Sequence, residues 1–375
     1  MAKVRYDEYI KSIFEPIVAL AKIGDIKKLK TAGLNPEIQS EQFERFDSLE
    51  VYSDEVITLR NGDFIAKLKC KDEYYIVIST EFFPSCDTDK LFDCIDNLNA
   101  QEHHIEECFF IKLCYHLQGF YKPSLENSQD RELEEKLALG HREEKESYQG
   151  HEIDELIDVY RPIKVFKLDS NSVIPELGIW YLAAKLALYC PCLRSENINS
   201  DILSTANNII ELNSANYENI YLSLTSLHWK HIYLEVYRCI EGLYYLPWML
   251  TLRDQIGTNK NAFELAKIVQ ESIKWREKEK ESIKNLFSLL TFDCFDTSGI
   301  SGGKFIDGLT LSDKDEHKRL VAGKIYSIRN QLVHQEDYEE QEKVKITHSC
   351  WPPLTLFLYK AVEYLFSEYE LHLSQ

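Results

Sequence analysis

The chain has 375 residues, 44% hydrophobic and 12% aromatic, which is enough to bury a core and too apolar for a disordered polymer. That length exceeds what one hydrophobic core usually serves, so two domains are expected. The 62 acidic and 43 basic side chains leave a formal net charge of −19, which argues against an autonomous nucleic-acid binder because phosphate contacts are made by lysine and arginine.

The opening residues scatter charges among apolar ones and lack the uninterrupted core of a signal peptide. The longest apolar stretch, residues 177–193, is broken by Lys185 and Pro191 and falls short of the ~18 uncharged residues that a span needs. The 10 cysteines include no Cys-x-x-Cys pair. Free thiols in a reducing cytoplasm, with no membrane partner, are therefore expected.

In chain order, the first third predicts mixed α and β structure. Ile10, Ile13, Phe14, Ile17, Val18 and Leu20 recur at a helical period and predict a helix over residues 6–23. Val56-Ile57-Thr58-Leu59-Arg60 leads into Asn61-Gly62 and out through Phe64-Ile65-Ala66-Lys67-Leu68, a strong hairpin signal. Residues 74–78 predict a third strand and residues 108–113 a later one. Such a small sheet with helices suits a recognition or regulatory module. Residues 124–158 hold 12 acidic and 4 basic side chains. They read as a solvated loop or exposed helix, or as an acidic arm that mimics nucleic acid or masks a basic site.

From residue 217 the texture turns helical. One helix is expected over residues 217–246, stopped by Pro247, and a second over residues 261–290. Residues 291–308 read as a loop. Ser312 then caps a third helix, with Asp313, Asp315 and Glu316 in its first turn and Leu320, Val321, Ile325, Ile328, Leu332 and Val333 as its apolar set. A fourth helix is expected over residues 353–371. The fold class is therefore α+β: a mixed α/β domain over residues 1–210, then an all-α antiparallel bundle over residues 211–375. The acidic surplus is uneven, 39 acids against 24 bases in residues 1–215 and 23 against 19 in the rest, so a local basic cleft is possible only in the second part.

The third helix ends in Arg329-Asn330-Gln331-Leu332-Val333-His334. This places an arginine, a polar residue and a histidine at one end of a capped amphipathic helix. Residues 215–375 thereby resemble the HEPN superfamily, whose signature is Arg, a polar residue, three to five others, then His. Tyr237-Arg238-Cys239-Ile240-Glu241-Gly242-Leu243-Tyr244, running to Leu246-Pro247-Trp248, is similar to the first helix of HEPN proteins of the phage-defence type.

The resemblance implies a metal-independent endoribonuclease without a cofactor, its site formed across a homodimer. His334 would take the 2′-OH proton or protonate the leaving 5′-oxygen, and Arg329 would stabilise charge on the phosphorus oxygens. Asn330 would orient substrate or histidine, and the products would be a 2′,3′-cyclic phosphate and a 5′-hydroxyl. Residues five apart on a helix differ by about 140°, so Arg329 and His334 would each work with the partner subunit, or the helix would end between them. Arg238 and Glu241, three apart, form either a local ion pair or a pair that orients Arg329 or His334. The implied setting is a bacterial defence or toxin–antitoxin system, with RNA as substrate and an antitoxin or activator bound through the N-terminal domain.

Two other readings remain open. One is a non-catalytic dimerisation or interaction protein in which Arg329 pairs with an acidic neighbour and His334 caps the helix. The other is a nucleotide-binding sensor. His228-x-x-His231-x-x-x-Glu235 has the spacing of helical metal ligands but no reciprocal motif on another helix. Ser301-Gly302-Gly303-Lys304-Phe305 fails as a phosphate loop because Phe305 replaces the required hydroxyl residue.

Overall fold

Asn61-Gly62 turns the chain in the computed structural model of the protein, with Gly62 at a φ of 95°, a region that favours glycine. The Gly62 N–H donates to the Leu59 carbonyl at 3.0 Å, closing the turn. The turn joins β1 (Leu49–Thr58) to β2 (Phe64–Cys70), which pair antiparallel with Thr58 opposite Phe64. The structure describes residues 9, 11–17, 19, 49–70, 72–105, 107–117, 119–123, 156–270, 279–296, 315–334, 346 and 348–373. They fall in two compact units, Met1–Ile179 and Trp180–Gln375.

In the first unit, β3 (Glu73–Ser79), β4 (Ala100–His103) and β5 (Ile163–Leu168) complete an antiparallel sheet of order β1-β2-β3-β5-β4. α1 (Ser85–Asn97) lies between β3 and β4 in the chain. The core gathers Phe64, Leu68, Tyr75 and Val77 from the sheet with Phe14, Phe110 and Tyr160. Residues 11–17 are helical, and the Tyr160 hydroxyl donates to the Ile13 carbonyl at 2.7 Å.

Residues 108–113, expected as a strand, lie instead in α2 (Glu107–His116). Phe109, Phe110, Ile111, Lys112, Leu113 and Cys114 are all buried, so the run is enclosed by the core on every side. A fully buried apolar run suits helix or strand alike, and tertiary packing rather than the β-forming aromatics decides. Of the acidic segment, residues 124–155 lie outside the described residues.

The second unit is helical throughout its described residues. α3 (Ile174–Leu177) ends the first unit, and α4 (Ile179–Tyr189), α5 (Ser200–Ile210), α6 (Tyr217–Thr225) and α7 (Trp229–Gly242) follow. Next come α8 (Leu246–Ile256), α9 (Ala262–Gln270), α10 (Glu279–Ser288), α11 (Phe292–Asp296) and α12 (Asp315–His334). α13 (Trp351–Glu368) and α14 (Glu370–Leu373) close the described chain. α13 buries Leu354, Phe357, Leu358, Val362 and Leu365, and it packs against α5, α7 and α11. α12 packs on α10 and touches α7.

The single helix expected over residues 217–246 is broken. Thr225 and Ser226 turn their hydroxyls back onto the Tyr221 and Leu222 carbonyls at 3.0 and 2.6 Å, and the Ser226 N–H makes the last helical bond, to Leu222 at 3.0 Å. Ser226 is extended, with ψ 135°, and α7 starts three residues later. Pro247 opens α8 rather than stopping a helix, since the first turn does not need the N–H it lacks. Pro352 and Pro353 likewise stand in the first turn of α13. Residues 292–296, expected as loop, form α11. Ser312 and Asp313 lie outside the described residues, as do residues 271–278.

Candidate functional site

Val321, Ala322, Ile325 and Ile328 are buried, so the spacing of α12 turns that face inward and leaves Arg329 and Asn330 at its edge. α7 is turned by the same logic, with Ile232, Tyr233, Val236, Tyr237 and Ile240 buried. That orientation brings Glu241, in the last turn of α7, to Arg329. The guanidinium Nη2 lies 2.9 Å from Glu241 Oε1, with side chains 17% and 28% exposed. Arg329 Nη1 also donates to Asn330 Oδ1 at 3.0 Å.

A tyrosine ladder supports the pair. The Tyr233 hydroxyl donates to the Ile325 carbonyl at 2.8 Å and so ties α7 to α12 one turn before Arg329. Tyr233 stacks on Tyr237, with centroids 6.1 Å apart, and the Tyr237 and Tyr244 hydroxyls are hydrogen-bonded to each other at 2.5 Å. Burial is the main reason that the Tyr233, Tyr237 and Tyr244 hydroxyls hold their protons well above the ordinary phenol range. Burial also raises the Glu241 carboxyl; the charge of Arg329 opposes this, and Glu279 at the start of α10 adds to it. Burial works against the Arg329 charge, but Glu241, Tyr237 and Glu279 outweigh it and hold the guanidinium more firmly protonated. This is a fixed, permanently cationic group in a half-buried setting.

The structure thus joins three of the residues singled out in the sequence, Arg329, Asn330 and Glu241. Arg238 is not bonded to Glu241. Its Nη1 donates to both oxygens of Glu235 at 2.6 and 2.8 Å, on an exposed face, although its charge still favours ionised Glu241. His334 is the last residue of α12, and its side chain lies outside the described residues. The supporting tyrosines and Glu279 were not singled out in the sequence. Tyr237 and Tyr244, seven residues apart around the end of an amphipathic helix, were the available signal.

Glu235, the third member of the helical metal-ligand spacing, is occupied by Arg238 and by Asn219, whose Nδ2 donates to it at 2.8 Å. Among the described residues no group of three or more His, Cys, Asp or Glu side chains could hold a metal ion. Residues 301–305 lie outside the described residues. Cys114, Cys239 and Cys294 are free thiols. No described helix is long and apolar enough to cross a membrane. The chain matches no protein-family model, no curated protein and no solved structure.

Proposed function

We propose that the helical unit is a metal-independent endoribonuclease of HEPN type, acting as a homodimer in a bacterial defence or toxin–antitoxin setting. The observation that carries this reading is the seating of Arg329. A guanidinium gripped by Glu241 and Asn330 loses little freedom when it meets a phosphate, and an arginine keeps further donors after one carboxylate contact. Arg329 would stabilise the developing charge on the phosphorus oxygens and His334 would move the proton. Glu241 acts as the positioning residue, because its carboxylate holds the guanidinium in one orientation from the last turn of α7.

One observation favours a second reading. Glu241 is the acidic partner that a purely structural Arg329 would be given, and with it α7 and α12 form a neutralised scaffold for interaction. The experiment that separates them is expression of the full chain or His334→Ala in bacteria, with growth and RNA ends followed together. Growth arrest and new RNA ends from the wild type, with neither from a folded His334→Ala chain, support the nuclease. Equal growth arrest with intact RNA, or loss of folding in His334→Ala, supports the scaffold.

A further inference from the structure

A second feature of the helical unit uses none of these residues. The break between α6 and α7 and the first turn of α13 enclose an open cavity of about 560 Å³, within the usual range for a small-molecule site. His228, Lys230, His231 and His348 line it, all exposed, and among the described residues no acidic side chain does. In a chain with a net charge of −19 such a lining is against the general trend. It offers hydrogen-bond donors from three separate imidazoles and one ammonium, the equipment for an anion.

The rest of the lining is of another kind. Trp229 and Trp351 are each only 7% exposed and line the wall, with Trp351 T-shaped against Tyr233, ring centroids 5.8 Å apart. Leu227 stands at the rim 62% exposed, a large apolar side chain in water. Its backbone is held in place, because Asn197 Nδ2 donates to the Leu227 carbonyl at 2.8 Å. The His228 and His231 rings are 6.2 Å apart between centroids, and no described cluster that includes them could hold a metal ion.

We infer that this cavity binds a small phosphate monoester with a flat apolar body, of the nucleoside monophosphate class. The histidines and Lys230 would take the phosphate, while Leu227 and the indoles would take the ring. The phosphate dominates, because the donors outnumber the apolar groups that retain exposure. The site is independent of the ribonuclease reading and stands if that reading fails.

The test is calorimetric titration of the purified full chain with AMP, inorganic phosphate and adenosine in turn. AMP should bind once per chain, phosphate more weakly at the same site and adenosine least. Lys230→Ala and His228→Ala should each weaken AMP by about tenfold, near 1.4 kcal/mol, and Asn330→Ala should not change it. Both substituted side chains are exposed, and Lys230→Gln serves as a second variant if either disturbs folding. Phosphate binding without AMP binding would retain the anion site and assign it to free phosphate or a smaller ester. Adenosine binding as tightly as AMP, AMP binding unchanged by the substitutions, or no heat with AMP or phosphate at millimolar concentration would overturn the proposal.

Discussion

Arg329 and Glu241 form a pair between the two limits usually quoted for ion pairs. Exposed pairs contribute roughly 0–1 kcal/mol, and breaking fully buried ones costs about 3–5 kcal/mol. With 17% and 28% of the side chains exposed, Glu241→Ala should lower stability by about 1–2 kcal/mol, measured by urea or thermal unfolding, and Glu241→Gln by less. A pH series tests the electrostatics. Burial holds the folded-state pKa of Glu241 above the ordinary glutamate value of 4.5, so the folded chain holds this proton more tightly than the unfolded one. The stabilisation is then present below that value and lost as pH rises through the raised one. Wild-type stability relative to Glu241→Gln should therefore fall as pH climbs from about 4.5 to 7. A rise would mean that attraction to Arg329 outweighs burial. In the linear sequence Arg329, Asn330 and Glu241 are each recognisable, but their meeting is not. It depends on how the buried faces of α7 and α12 are phased against each other, and no local spacing encodes that. Arg238 was ambiguous for a similar reason, having acids three residues away on both sides and pairing with Glu235.

Elements with strong local chemistry could be read in advance. Asn61-Gly62 marks the hairpin because few residues tolerate the required φ, and the unbroken β-branched and aromatic run of residues 74–78 marks β3. Where several elements compete, the local signal failed. Residues 108–113 are rich in strand formers, but residues 109–114 are all buried, a pattern that fits helix and strand alike, and tertiary packing decides. The break at residues 226–228 was missed because Ser and Thr are ordinary helix surface residues until their hydroxyls turn back onto carbonyls. Strand β5 was missed too, though Ile163, Val165, Phe166 and Leu168 are all buried. Capping is a cleaner case. Asn199 Oδ1 accepts from the Ile202 N–H at 2.9 Å and so starts α5, which packs on α13. Asn199→Ala should cost about 1 kcal/mol in thermal unfolding and Asn199→Gly only a few tenths. Equal losses would show that packing, not the cap, fixes that end.

At the scale of the whole molecule, composition and charge frame the account. The acidic surplus lies mostly in residues 1–215, which leaves the helical unit nearly balanced and able to present Arg329 to an anion. Val333, beside His334 at the end of α12, is 48% exposed, an apolar side chain that a second copy would cover under the proposed dimer. Sedimentation at micromolar concentration should give twice the 43.9 kDa of the chain, whereas a persistent monomer would leave Arg329 and His334 without their counterparts. The most direct measurement is cleavage of a defined single-stranded RNA by the purified chain in excess EDTA, with Arg329→Ala and His334→Ala alongside. The account predicts 2′,3′-cyclic phosphate and 5′-hydroxyl ends from the wild type and at least about a hundredfold slower cleavage by either variant. Cleavage that needs a divalent metal, or that survives in both variants, would contradict it.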